Sequence, residues 1–231
     1  MAMVASRVDS LRKAGIDNIN LDLMYGFASE TLEELSIDLE AILSLNPSHI
    51  STYSLQIEEG TLFHNKKEHA SSDETLAEFY DFIVKTLKKH GYFRYEVSNF
   101  ARPDKQSRHN LTYWHDERYI GLGVGASGYE GDCRYTNTHS VPNYLAGERR
   151  VYEETIDLKA DRTYYLLTHL RLEEGFSLSE FKTRFQEDLL ESKKNEIKRL
   201  CEAGLLLLEG DRIKVHPDHL YVMDSVVVDL I

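Results

Sequence analysis

Ile19-Asn20-Leu21-Asp22-Leu23-Met24-Tyr25, followed by Gly26-Phe27-Ala28-Ser29-Glu30-Thr31, decides how the first half of this chain is read. Ile19, Leu21 and Leu23 alternate with Asn20, Asp22 and Met24, the period of a strand with one apolar and one partly polar face. The residues on either side supply its neighbours. Upstream, Val4, Val8 and Leu11 share one face of a helix over about Val4–Ala14, and Gly15 stops it. Downstream, Thr31 and Glu34 form a capping box, and Leu32, Leu35, Leu39, Ile42 and Leu43 give the next helix an apolar stripe that ends before Asn46-Pro47.

The alternation continues. His49–Ile57 reads as a second strand, Asp73–His90 as a long amphipathic helix ended by Gly91, and Phe93–Val97 as a third strand. Strands alternating with helices of this length predict a parallel sheet with crossover helices. Both faces of such a strand are normally covered, so polar side chains on one face of the first strand point to a barrel interior or a ligand site. Asp22 is therefore either an acceptor for ligand hydroxyl or amine groups or an aspartate satisfied by its neighbours, and the spacing leaves both open.

From Ser98 to about Tyr135 the periodicity is lost in a long segment rich in aromatic, polar and glycine residues, which marks it as the place to look for a site. Within it, Ser107–Trp114 gathers Arg108, His109, Asn110, Tyr113 and the only tryptophan, Trp114. These groups can ligate iron, stack on a flat ring and pair with carboxylates. A loop that simply closes one end of the fold would use the same residues. Gly121-Leu122-Gly123-Val124-Gly125 is not a phosphate loop, because no Lys-Ser/Thr pair follows; it implies close backbone approach to a ligand or to a neighbouring strand.

After Val151 the composition changes to three helices (Asp161–Leu172, one after the box Ser177 with Glu180, and about Glu187–Ala203) and two short strands around Gly210-Asp211. That is a small winged-helix-like, α-rich domain over 152–231, placed after an α/β domain over 1–151. Its third helix carries Lys193, Lys194, Lys198 and Arg199 among five acidic residues, Glu187, Asp188, Glu191, Glu196 and Glu202, so a packing or partner-binding module is expected rather than a DNA reader.

Composition agrees. With 42% hydrophobic residues among 231, the chain can fill one full core and a smaller second one. A net charge of −12 argues against nucleic acid as a partner. No apolar run reaches the roughly 20 residues of a bilayer span, and no signal peptide is legible, which predicts a cytoplasmic protein. Cys133 and Cys201 are the two cysteines, too few for a disulfide framework or a thiolate cage.

Taken in order, Asn20–Gly26, Tyr53-Ser54-Leu55 with Glu58-Glu59-Gly60-Thr61, Gly91-Tyr92, Tyr95–Pro103, Ser107–Trp114, Gly121-Leu122-Gly123 and Asn137-Thr138 closely resemble the radical SAM oxygen-independent coproporphyrinogen III oxidase-like family over nearly the whole chain. His109, Asn110, Tyr113 and Trp114 match a His-Asn-x-x-Tyr-Trp element typical of its HemW heme-chaperone branch. The resemblance implies the C-terminal part of a partial TIM-like (β/α) barrel followed by the winged-helix domain. It further implies heme as bound cargo, with His109 a candidate iron ligand and heme-requiring proteins as partners. Asp22, Ser54 and Ser127 would line an S-adenosylmethionine pocket, the two serines largely through backbone atoms.

Part of a decarboxylating coproporphyrinogen III oxidase is the alternative reading, and a winged-helix interaction module another of a different class. The family's CxxxCxxC motif for its [4Fe–4S] cluster is not in this sequence. Radical activity is not expected of this chain alone, and the expectation is a fragment that pairs with a cluster-bearing N-terminal half or self-associates through an open barrel edge. The family's Gly-x-Pro-x-Gln-Thr loop is altered here to Gly26-Phe27-Ala28-Ser29-Glu30-Thr31.

Overall fold

The computed structural model describes residues 2–66 and 69–231, and its elements are given for those residues. Two compact units divide the chain, one ending at Ser107 and the other running from Arg108 to Ile231. The change of composition after Val151 lies inside the second unit.

The first unit holds α1 (Ala2–Lys13), β1 (Asn20–Tyr25), α2 (Leu32–Ser44), β2 (His49–Ser54), α3 (Leu62–Asn65), α4 (Asp73–Lys89), β3 (Phe93–Arg94) and β4 (Asn99–Ala101). The expected β–α–β unit is present: β1 and β2 pair in parallel, Asn20 against His49 through Tyr25 against Ser54, with α2 between them in sequence. The Thr31 side chain accepts from the Glu34 backbone and the Glu34 carboxylate accepts from Thr31 N–H, so the capping box starts α2 as its sequence requires. Arg12 of α1 donates to the carbonyls of Leu45 and Asn46 at 2.6 and 3.0 Å, satisfying acceptors that the end of α2 leaves open. Leu23, Tyr25, Leu35, Leu39, Ile50, Phe79, Ile83 and Phe100 are buried together in one core.

The third strand departs from expectation. Rather than running Phe93–Val97 beside β2, the chain turns after Arg94, and β4 inserts antiparallel between β2 and β3 to give the order β1-β2-β4-β3. Four residues separate β3 from β4, far fewer than the dozen or so a parallel crossover needs. Local side-chain bonds hold the turn: the buried Glu96 carboxylate accepts from Ser98 N–H and from the Asn99 amide, and Tyr80 of α4 donates to the Val97 carbonyl at 2.6 Å.

In the second unit, α5 (Arg108–Trp114) precedes an antiparallel sheet of β5 (Ser127–Glu130), β6 (Cys133–Asn137) and β7 (Arg150–Thr155), with α6 (Val141–Ala146) between β6 and β7. The glycine-rich run lies against this sheet. A Cβ on Gly121 would stand 2.2 Å from the Ser127 carbonyl oxygen, and one on Gly128 would stand 2.2 Å from the Tyr135 ring. The Tyr135 hydroxyl accepts from Gly121 N–H at 3.0 Å, and the Asn137 amide donates to the carbonyls of Gly121 and Gly123. The glycines serve a close approach of the chain to itself, the second of the two alternatives open in the sequence.

Helices α7 (Leu158–His169), α8 (Leu178–Phe185), α9 (Leu189–Ser192) and α10 (Lys194–Glu202) come next, with β8 (Phe176–Ser177), β9 (Leu206–Glu209), β10 (Arg212–Val215), a 3-10 turn over Pro217–Val222 and α11 (Met223–Leu230). The hairpin β9–β10 forms around Gly210-Asp211, and β8 adds a third strand on the far side of β10. The helix expected over Glu187–Ala203 is broken at Lys193 into α9 and α10. Tyr165, His169, Phe176, Phe181 and Phe185 stack at the centre, with ring centroids from 3.7 Å (Tyr165–His169) upward.

Candidate functional site

Two surfaces carry the residues singled out by sequence. On the first, the register of the parallel pair places Asp22 opposite Ser51, and Ser51 opposite Asn99, so these side chains form one row across the sheet face away from the core. Asn20 and His49 form the adjacent row. Polar groups here bond to each other: Asn20 donates its amide to Asp22 at 2.7 Å, while its carbonyl oxygen faces His49 Nδ1 at 2.7 Å and accepts from Ser51 at 3.2 Å. His49 Nε2 meets the Tyr95 hydroxyl at 2.8 Å. Burial holds the His49 imidazole below its ordinary value, partly opposed by the Asp22 carboxylate.

Asp22 is exposed, and Met24 and Tyr53 are exposed large side chains further along the same two strands. The Asn99 Oδ1 atom is buried with no hydrogen-bond partner among the described residues, beside the Asp22–Ser51 row. Ser54 is on the other side of β2, opposite the buried Tyr25. The Ser54 side chain is therefore on the face opposite that of Asp22. The altered loop after β1 keeps its place because the Glu30 carboxylate accepts from the N–H groups of Gly26 and Phe27 at 2.5 and 3.1 Å. Ser127 belongs to the second unit, on β5, its hydroxyl 3.1 Å from that of Thr136 across the strand pair.

The second surface is α5 itself. His109, Asn110, Tyr113 and Trp114 are on a helix, not in the loop that sequence composition suggested as the bland alternative. Its first-turn Arg108 carbonyl accepts from the Thr112 hydroxyl at 3.1 Å. His109 is exposed; Tyr113, one turn on, brings its hydroxyl to 3.0 Å from His109 Nε2 and its ring edge against the imidazole. Tyr119 abuts Tyr113 edge to face at 4.6 Å between centroids. Trp114 lies under the Arg171 guanidinium at 4.4 Å, its indole N–H buried and without a partner among the described residues. An open groove of about 600 Å³ runs along the helix, lined by Arg108, His109, Leu111, Thr112, His115 and Glu117.

Sequence reasoning missed what anchors this helix. Asp116, two residues past its end with φ 53°, is buried and accepts from Arg134 at 2.6 Å and from Arg184 at 2.8 Å; Arg184 also grips Asp161. Arg134 is sandwiched between the rings of Tyr129 and Tyr164 at 4.0 and 4.1 Å. Burial raises the Asp116 carboxyl against the pull of both guanidinium groups. Partners 18 and 68 residues away give no local signal. His115 and His169, with ring centroids 6.2 Å apart, are likewise brought together only by the fold. Among the described residues no three His, Cys, Asp or Glu side chains converge as a metal site.

Known proteins are similar to this chain in sequence and in fold. Residues 165–218 match the model of the HemN C-terminal domain. Over 220 residues, 92% of this chain, the sequence is 36% identical to the heme chaperone HemW of Lactococcus lactis, and over 214 residues, 88% of the chain, 35% identical to that of Bacillus subtilis. The chain belongs to the HemW and HemN family. It is also 36% identical to the HemW of Escherichia coli over 174 residues, 72% of the chain and 46% of that protein. The fold of coproporphyrinogen III oxidase HemN from Escherichia coli, a radical SAM enzyme, superposes on 98% of this chain and 58% of its own with a TM-score of 0.81 at 17% identity. That likeness makes the architecture the HemN fold. The chain spans 58% and 56% of the lengths of the first two HemW relatives. No helix among the described residues is long and apolar enough to cross a membrane.

Proposed function

We propose that this chain is the heme-holding portion of a HemW-like heme chaperone, with the α5 groove as the place where heme rests before transfer to a heme-requiring target protein. The observation that carries this reading is the exposed His109 at the groove, backed by Tyr113, in a chain 36% identical to a protein named for heme chaperoning. An imidazole supplies an axial nitrogen to heme iron, the Arg108 guanidinium suits a propionate, and Tyr113 and Trp114 stiffen the helix from behind. Exposure matters for a carrier, because cargo held at a rim is released more readily than cargo in a closed pocket.

S-adenosylmethionine belongs, on the same reading, to the Asp22 face of the first sheet. The Asp22 carboxylate and the orphaned Asn99 oxygen are acceptors suited to its hydroxyl and amino groups, with backbone near Ser54 contributing. A contribution from Ser127 rests on the family resemblance alone. A three-thiolate [4Fe–4S] site does not fit the two cysteines of this sequence, so a cluster would need thiolates from outside it. Self-association through the outer edge of β1, which pairs only with β2 among the described residues, is a related proposal. Coproporphyrinogen III oxidation, the alternative, has the shared fold in its favour and no residue-level observation.

Titrating hemin into the chain and following the Soret band tests the reading. One-to-one binding is expected, with His109→Ala losing or shifting the band; absence of saturable binding in the wild type sinks it.

A further inference from the structure

The α5 groove holds a second imidazole. His115 directly succeeds the helix, lines the same groove as His109, and is partly exposed. The exposed Glu174 carboxylate, which also faces Arg212, lies 3.5 Å from the His115 Nε2, within reach of the hydrogen bond by which a carboxylate orients an imidazole whose other nitrogen binds a metal. The two histidines are not equally prepared. His109 Nε2 is engaged by the Tyr113 hydroxyl at 3.0 Å, so coordination through that nitrogen requires the hydroxyl to move aside. His115 has its Nε2 turned to a carboxylate, leaving Nδ1 as the donor that orientation favours. The neighbouring His169 is unsuited to the role: it is stacked on Tyr165 at 3.7 Å, its Nδ1 is 3.0 Å from the Tyr165 carbonyl, and burial keeps it neutral.

We propose that His115, oriented by Glu174, is an iron-donating residue of the groove in its own right, so that an iron tetrapyrrole there is ligated by His115 with or in exchange for His109. The inference rests on the heme reading of the groove and adds a second donor to it. Exchange between two imidazoles on one short segment gives a carrier a route to loosen one bond to iron while keeping another. Arg108 and Glu117 at the ends of the lining set are the charged groups a bound ligand meets beside the two imidazoles.

The experiment compares ferric hemin binding by the wild-type chain, His109→Ala, His115→Ala, Glu174→Gln and the double histidine variant, using Soret and visible bands for affinity and electron paramagnetic resonance for spin state. Circular dichroism melts confirm that each variant folds, and His115→Gln repeats the test with a side chain closer in size. The expected result is that His115→Ala weakens binding by about tenfold or more, or converts low-spin to high-spin iron, that Glu174→Gln moves the same signals in the same direction, and that the double variant loses the ligated spectrum. An unchanged spectrum and affinity in both His115→Ala and His115→Gln, with loss in His109→Ala, overturns the His115 proposal and leaves the heme reading standing. Absence of binding by the wild type overturns both.

Discussion

On the β1–β2 face, Asn20, Asp22, His49, Ser51 and Tyr95 are bonded to one another in a continuous chain, whereas along α5 the imidazole of His109 has one neighbour from its own helix and otherwise faces the groove. The sheet face is rigid because its rows are set by strand register and tied by mutual hydrogen bonds. The groove is built on a seven-residue helix with no fully buried side chain, held mainly by Asp116, which sits just past its C-terminal end between two arginines. A preformed polar surface suits recognition of a small, densely functional molecule. A helix pinned at one end suits a large flat ligand that must also leave.

Removing the pin is the strongest way to break this contrast. Asp116→Ala leaves the Arg134 and Arg184 guanidiniums partly buried with their shared partner gone, and should cost about 3–5 kcal/mol. Urea unfolding would register this, and hemin binding should weaken with it although Asp116 is not among the groove's lining residues. Binding that survives an Asp116→Ala chain so destabilised would show the groove to be independent of its anchor.

Acid provides a second, smaller probe of the same unit. Burial lowers His169 to about 4, with His115, Arg184 and Arg212 adding to the effect and the Tyr165 carbonyl opposing it. The unfolded chain therefore takes up this proton first. Stability tied to His169 is full above about pH 6.5, is lost progressively as pH falls, and the loss levels off below about 4, reaching on the order of 3 kcal/mol. Melting temperatures from pH 7 to 4 should fall more steeply for the wild type than for His169→Gln. Equal slopes would refute it.

The sheet face is probed by Tyr95→Phe, which strips His49 Nε2 of its partner at the inner end of the network. A loss of about 1 kcal/mol is expected in the urea unfolding of the chain, with hemin binding unaltered. A change in hemin binding would mean that the two surfaces do not act as separate devices.

The parts of this architecture legible in sequence are those with strong short-range signals. Thr31 with Glu34, Ser177 with Glu180, and the long apolar stripe of α4 announced their helices, and Gly210-Asp211 announced its hairpin. The β3–β4 turn was hidden because Phe93–Val97 alternates like a longer strand, while Glu96 and Ser98-Asn99 fold it back by side-chain bonds no period reveals. α5 was hidden because Arg-His-Asn-Leu-Thr-Tyr-Trp is short and has no apolar stripe, and tertiary anchoring decides its helicity. Of the site, His109 and Tyr113 could be named from sequence and are neighbours in the fold. The pairing of His115 with Glu174 spans 59 positions that only the folded chain brings together.

The placement of the lone tryptophan also gives the molecule a built-in optical gauge. Trp114 ends the helix that bears His109, its ring covered by Arg171 and its indole N–H buried. Indole emission from this chain therefore originates at the end of the helix that borders the groove. A porphyrin seated there absorbs in the region where the indole emits, so light emitted by the protein should dim as cargo arrives and recover as it departs, making hand-over to an acceptor visible in real time without any label.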